Sequence, residues 1–306
     1  MTKTNILIIS VVVLSLLTNI ALAVKLDLFR NIFKKDAPAV VTTESNNNEI
    51  FDEINPTKGF EINASFGDLG PKMITSGIID KDKFISIYEK SNQPLTEDQK
   101  KILIYGSDEK ITITRENSYF LLNFFWAVGL NNKSKILDDG DMMNYGGVKG
   151  AGDFASTGGW SLAKGNTMNF YSKNNLITLS PEQEKLVEEV SSNVFRPCCN
   201  NSTAFPDCNH GMALLGVLQL MASSGATETE MYTASKYFNA FWFPGNYYDL
   251  ALYFKNKEKI NFSDIDPKLL LSKDYSSATG AQDIKKWLSQ EGLVEEPPKT
   301  GGGCGV

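Results

Sequence analysis

The chain holds one histidine and four cysteines in 306 residues. Four cysteines are too few for a disulfide-stapled scaffold, in which crosslinks stand in for a core. Positive charge is also in short supply. Thirty Lys and Arg against 36 Asp and Glu leave a formal net charge of −6. No basic stripe interleaved with aromatics appears, which argues against nucleic acid as a partner and against tight docking on anionic lipid heads. Zinc-finger spacing with two separated ligand pairs is absent, as is the haem-attachment pattern with a histidine directly after the second cysteine. No internal repeat is visible. The glycine-rich stretch lacks the preceding strand and following helix that a phosphate-cradling loop needs. Asp138, Asp139, Asp141 and Asp153 match no EF-hand register.

Long apolar runs are scarce as well. The longest covers residues 6–24, without a charge. About 19 residues is near the minimum for a membrane-spanning helix. Ala21-Leu22-Ala23 also fits the small-x-small pattern cut by signal peptidase. The expectation is therefore a signal peptide or signal-anchor over residues 1–24, with the chain attached to a membrane through that helix, or secreted after cleavage behind Ala23. The rest would then face away from the cytoplasm. One feature opposes this. Lys3 is the only basic side chain before the run, whereas Lys25, Arg30, Lys34 and Lys35 follow it, against the positive-inside rule. Residues 25–58 are rich in Ala, Pro, Thr, Ser and Asn in their second part and read as a flexible tether.

Residues 59–292 read as one mainly α-helical globular domain with long glycine-rich loops. With 42% hydrophobic residues the chain has material for a core. Thr96 followed by Gln99 is a capping-box pattern for a helix reaching about Tyr105. Residues 110–114, KITIT, alternate as a short strand, and residues 116–130 read as a helix apolar all round. Ser180-Pro181-Glu182-Gln183 starts a helix to about Phe195, which Arg196-Pro197 ends. A core helix follows from Pro206 or Asp207 to about Ser223. Its apolar run, residues 212–222, is too short for a second membrane span. Thr227 caps the next helix, Pro244-Gly245 breaks it, and another follows. A last amphipathic helix covers about residues 282–290. Residues 59–79 are glycine-rich and are not assigned an element. Residues 137–165 carry eight glycines over 29 positions and no period. They suit a flexible surface loop, or a loop folded over a site with Phe154 and Trp160 as anchors. Residues 293–306 read as a disordered tail ending in Cys304.

What the chain does have is concentrated. Cys198, Cys199, Cys208 and His210 fall within 13 residues, in RPCCNNSTAFPDCNHGM. Three thiols and an imidazole give the donor count of a closed tetrahedral soft-metal site, for zinc or copper. Met212 would add a thioether, which suits copper, provided that the CNHGM segment is a turn. In a continuous helix, Cys208 and His210 would lie about 200° apart and could not share an ion. A second reading is thiol–disulfide chemistry. Cys208, in the first turn of a helix, would be the reactive thiol, aided by His210 or Arg196, with Cys198 or Cys199 as resolving partner. As catalytic residues, Cys208 and His210 would also form a dyad, though Asn200, Asn201 and Asn209 give it no clear orienting third group. A third reading is a non-enzymatic envelope module with a structural disulfide from Cys208 to Cys198 or Cys199. A vicinal Cys198–Cys199 bond would need a strained eight-membered ring. Cys304, on a Gly-Gly-Gly arm, could serve as an auxiliary thiol that exchanges disulfides or hands over a metal to a redox or metal-transfer partner.

Overall fold

Helix starts in this chain are set by local side chains. Thr96, Ser180 and Thr227 each accept from a backbone N–H three residues on, and Gln99, Gln183 and Glu230 return the bond. These reciprocal bonds satisfy amides that a helix start leaves without partners. The computed structural model describes residues 43–298, with side chains from residue 48. The three caps open α4 (Glu97–Tyr105), α8 (Pro181–Asn193) and α10 (Glu228–Trp242).

The centre is a pair of helices, α5 (Ser118–Asn131) and α9 (Asn209–Ser223), both buried around nearly their whole circumference. Glycines let the two backbones touch. A Cβ on Gly216 would lie 2.6 Å from the Phe125 carbonyl, and one on Gly129 would run into the carbonyl of Met212. Around the pair stand α8 and α10, the latter reaching α5, α8 and α9. The chain continues through α11 (Pro244–Tyr253), α12 (Pro267–Leu270), α13 (Lys273–Ser276) and α14 (Ala278–Gln290). One core cluster joins these helices to the N-terminal part. The mainly helical, single-domain expectation therefore holds.

The N-terminal part adds α1 (Thr43–Ile54), α2 (Leu69–Ser76), α3 (Lys81–Lys90) and an antiparallel ribbon. The ribbon consists of β1 (Phe60–Gly67) and β2 (Ser107–Ile113), with Phe60 opposite Ile113 and Gly67 opposite Ser107. Two register shifts interrupt it. Its pattern of buried Ile62, Ala64 and Phe66 lays one face on the core.

Three expectations are corrected. The tether does not extend to residue 58: α1 begins at Thr43 and buries Ile50, Phe51 and Ile54 in the core. Apolar residues spaced by three and four supply the burial that a tether lacks. Residues 137–165 are not a loose surface loop. They contain α6 (Lys135–Asp138, which begins just before them), a 3₁₀ turn at Asp141–Tyr145 and α7 (Gly147–Ala151). Trp160 is buried and donates to the Ile78 carbonyl at 2.8 Å, with Trp126 edge-on to it. The expected tail also starts later than residue 293. Leu293 packs on the core, and Glu295 accepts from the Tyr248 hydroxyl at 3.0 Å. No helix among the described residues is long and apolar enough to cross a membrane. The proposed signal or anchor at residues 1–24, the first part of the tether and Cys304 lie outside the described residues.

Candidate functional site

The segment from Arg196 to Cys208 joins α8 to α9, and hydrogen bonds fix it on several sides. Thr203 donates through its backbone N–H and its hydroxyl to the Val194 carbonyl, at 2.8 and 3.0 Å. The Cys199 carbonyl accepts from the Ala278 N–H at 2.9 Å, and Asn200 Oδ1 accepts from the Thr279 amide and hydroxyl. The start of α14 thus holds the vicinal cysteines. The glycine-rich segment reaches the same place: Ser156 N–H donates to the Asp207 carbonyl at 3.2 Å, and Phe154 packs edge-on to Phe205. Of the two expectations for this segment, folding against the cysteine loop is the one observed, with Phe154 as an anchor there, whereas Trp160 is anchored elsewhere, at Ile78 and Trp126.

Cys208 is the N-cap of α9, with extended backbone angles of φ −118° and ψ 164°. The cap lies outside the helical spiral, so the 200° separation that a continuous helix would impose does not apply. One sulfur each of Cys198 and Cys208 and one ring nitrogen of His210 all lie within 4.8 Å of one another. A second set shares Cys208: its sulfur, that of Cys199 and a carboxylate oxygen of Asp207 meet the same limit. Cys198 Sγ and Cys208 Sγ are 3.3 Å apart, and all three cysteines are free thiols. Of the four residues expected to converge, Cys198, Cys208 and His210 form one set, and Cys199 meets Cys208 in the other.

Met212 takes a different place. The helix begins at Asn209, so the turn that a Cys–His–Met set requires is absent. Met212 is fully buried in the core, and its backbone N–H donates to the Cys208 carbonyl. Gly211 does not hold a turn open. Its hydrogen atoms make room for Arg196, because a Cβ there would lie 2.5 Å from the guanidinium carbon.

Arg196 is the charged centre of the site. It is fully buried, and its planar fork reaches four acceptors. Nε donates to Cys208 Sγ at 2.9 Å, one terminal nitrogen to the Asn201 carbonyl at 3.1 Å, and the other to the Phe205 carbonyl at 3.2 Å and to Asp207 Oδ1 at 2.6 Å. Asp207 is held in turn by Asn201 Nδ2 at 2.9 Å, and Cys199 Sγ faces Asp207 Oδ1 at 3.5 Å. Cys208 Sγ also accepts from the Gly211 N–H at 3.4 Å, the helix-start amide.

These neighbours separate the thiols. Hydrogen bonds from Cys198 and Cys199, with the Arg196 charge, hold Cys208 well below the ordinary thiol value despite its burial. The residue Cys198 is exposed, but its bonds to Cys199 and Cys208 push its thiol up. Cys199 is lowered by its bond with Cys198, but the bond to Cys208 and burial outweigh this and push it up to about 11. The three thiols titrate as a coupled set in which Cys208 is the first to ionise.

His210 is different in kind. Its ring is buried, 4.3 Å from Phe243 and 5.9 Å from Trp242 between centroids. Neither ring nitrogen has a hydrogen-bond partner among the described residues. Buried polar groups are rarely left this way, because an unmade bond costs about 1–3 kcal/mol. Asn209, considered as an orienting group, instead bonds the His210 backbone N–H through Oδ1.

Sequence reasoning gave Asp207 no part in the site and Arg196 only a minor one. A signal for Arg196 was present: it is one of three arginines against 27 lysines, and it stands two residues before Cys198. A planar fork is what a buried site with several acceptors needs, and lysine does not provide one. No protein-family model matches this chain, and no curated protein or solved structure matches it.

Proposed function

We propose that this chain binds one thiophilic metal ion, zinc or copper(I), through Cys198, Cys208 and His210, with Cys199 as a fourth donor for zinc. The observation that carries the reading is the buried imidazole whose only polar neighbours in the site are sulfurs, those of Cys198 and Cys208 within 4.8 Å of one ring nitrogen. A metal ion supplies the missing partner for one ring nitrogen. Zn–S bonds of about 2.3 Å in a tetrahedron separate two sulfurs by about 3.8 Å. The 3.3 Å pair needs to open by only about 0.5 Å to meet this.

The surroundings suit such an ion. Arg196 Nε bonds the Cys208 sulfur from outside the donor set, the kind of outer-shell contact that orients a ligand and tunes its basicity. The buried Arg196–Asp207 pair is neutral taken together, so the thiolates need a further positive charge. Cys198 is exposed whereas His210 is buried, which gives the ion one open side. Ligand exchange through Cys198 favours metal handling or transfer over a sealed structural role. The uncharged run at residues 6–24, with the small-x-small pattern at Ala21-Leu22-Ala23, supports placing this domain outside the cytoplasm, tethered or released behind Ala23, against the basic residues that follow the run.

Cobalt(II) titration of the reduced chain tests the reading. Tetrahedral thiolate ligation gives sulfur-to-cobalt charge-transfer bands and intense visible bands that saturate at one equivalent, and zinc displaces them. A spectrum of octahedral, oxygen-bound cobalt would refute it.

A further inference from the structure

Beyond metal binding, we propose that Cys198 and Cys208 are a dithiol–disulfide exchange pair, and that forming their disulfide closes the metal site. The consequence for the metal rests on the function proposed above, whereas the dithiol chemistry stands on its own geometry. Their sulfurs are 3.3 Å apart, so the bond of about 2.05 Å needs an approach of about 1.2 Å. Cys199 Sγ also lies within 4.8 Å of Cys208 Sγ, but its own bonds run to Asp207 Oδ1 at 3.5 Å and to the Asn201 carbonyl at 3.8 Å. The frame that keeps the pair together is stiff. The Cys199 carbonyl is bonded to α14, and the Cys208 sulfur to Arg196 and the Gly211 amide. A fixed pair reacts as if at high effective concentration.

Exposure sets the order of events. Cys198 is exposed and Cys208 is half-buried, so an incoming small-molecule disulfide, RSSR, meets Cys198 first. The Cys198 thiol passes its proton to the Cys208 sulfur 3.3 Å away, and the Cys198 sulfur attacks RSSR. A Cys198–SR bond forms, the S–S bond of RSSR breaks, and the leaving thiolate takes up a proton as RSH. Cys208 Sγ then attacks Cys198 Sγ, with loss of that proton, and the second RSH leaves. Two protein thiols are oxidised by two electrons and one RSSR is reduced to two RSH, with no other reactant needed. Two of the three donors in the Cys198–Cys208–His210 set are consumed. Losing outer-shell partners alone costs about 10–100-fold in metal affinity, so losing two sulfur ligands lowers metal uptake by at least about tenfold.

The test uses the full chain carrying Cys304→Ser, reduced and then exposed to glutathione disulfide. Free thiols are blocked, and an Asp-specific protease that cuts before Asp207 separates Cys208 from the vicinal pair. The expected product is a Cys198–Cys208 crosslinked peptide with Cys199 alkylated and two glutathiones released per chain. Cys199→Ser retains the crosslink, and Cys208→Ser accumulates the Cys198–glutathione adduct. A Cys199–Cys208 crosslink, or glutathione adducts without a crosslink in the wild-type cluster, overturns the inference. Zinc uptake is measured on the reduced and oxidised samples in parallel. If the reduced chain takes up no zinc, the metal reading fails while the crosslink result still decides the dithiol chemistry. If zinc binds equally before and after crosslinking, the closing of the site is refuted.

Discussion

Removing the Arg196 side chain tests how the cysteine loop is held. Four hydrogen bonds converge on a group with no solvent exposure, and its ionic partner Asp207 keeps 20% of its side chain exposed. Breaking a buried ion pair by deleting one partner costs about 3–5 kcal/mol, because the other charge is left behind. Water can reach Asp207, which lowers that part. Two backbone carbonyls, of Asn201 and Phe205, also lose a donor at about 1 kcal/mol each. Arg196→Met should therefore destabilise the reduced protein by about 3–4 kcal/mol, against a total of about 5–15 kcal/mol for a typical domain. Arg196→Lys keeps the charge but not the fork and should cost about 1–2 kcal/mol. Urea unfolding of the reduced, metal-free protein measures both. A double-mutant cycle with Asp207→Asn should show a coupling of at least about 1 kcal/mol. A loss below about 1 kcal/mol for Arg196→Met, or no coupling, would refute the assignment of Arg196 as the charged centre of the loop.

Further outcomes follow from single contacts. Gly211→Ala would gain about 1 kcal/mol of helix propensity. Its Cβ, however, falls 2.5 Å from Arg196 Cζ and 2.8 Å from Nε, on a group pinned by four bonds. The net effect should be destabilisation by about 1–2 kcal/mol with weaker cobalt binding, read by urea unfolding and titration; a stabilised variant would contradict the packing. Lys236 is buried, its ammonium bonded to the carbonyls of Phe262, Ser263 and Ile265. Burial lowers its pKa from 10.5 to about 8, partly offset by Asp264, Glu53 and Asp266. The folded value lies below the unfolded one, so its cost is fully present below about pH 8 and is relieved as pH rises from there toward 10.5. The stability of the wild type relative to Lys236→Met should rise by about 2–3 kcal/mol between pH 7.5 and 10, measured by urea unfolding at each pH. A flat difference would contradict the shift.

The elements legible in the sequence are those whose signal is local. Thr96, Ser180 and Thr227 announce their helices because a cap is made by residues three apart. The ribbon strand β1 was missed although its signal is local: Phe60, Ile62, Ala64 and Phe66 alternate with Glu61, Asn63 and Ser65 between Gly59 and Gly67, and only its partner strand lies far off in sequence. The glycine-rich segment owes its order to two long-range bonds, from its Trp160 to the Ile78 carbonyl and from Trp126 of α5 to its Ser156 carbonyl. At the site, proximity in sequence pointed to Cys198, Cys199, Cys208 and His210. Helical geometry argued against Cys208 and His210 meeting until Cys208 proved to be the extended cap. Arg196 and Asp207 were harder to find, since a buried ion pair has no sequence period.

The most direct measurement is the metal content of the full-length chain, reduced, loaded separately with zinc and with copper(I), and then passed through a desalting column. With Cys198, Cys208 and His210 as donors, the wild type should retain one ion of at least one of these metals per chain. Cys208→Ser and His210→Ala should retain little or none, with their folding checked by circular dichroism. Retention of neither metal by the wild type, or equal retention by Cys208→Ser, would contradict the proposed site.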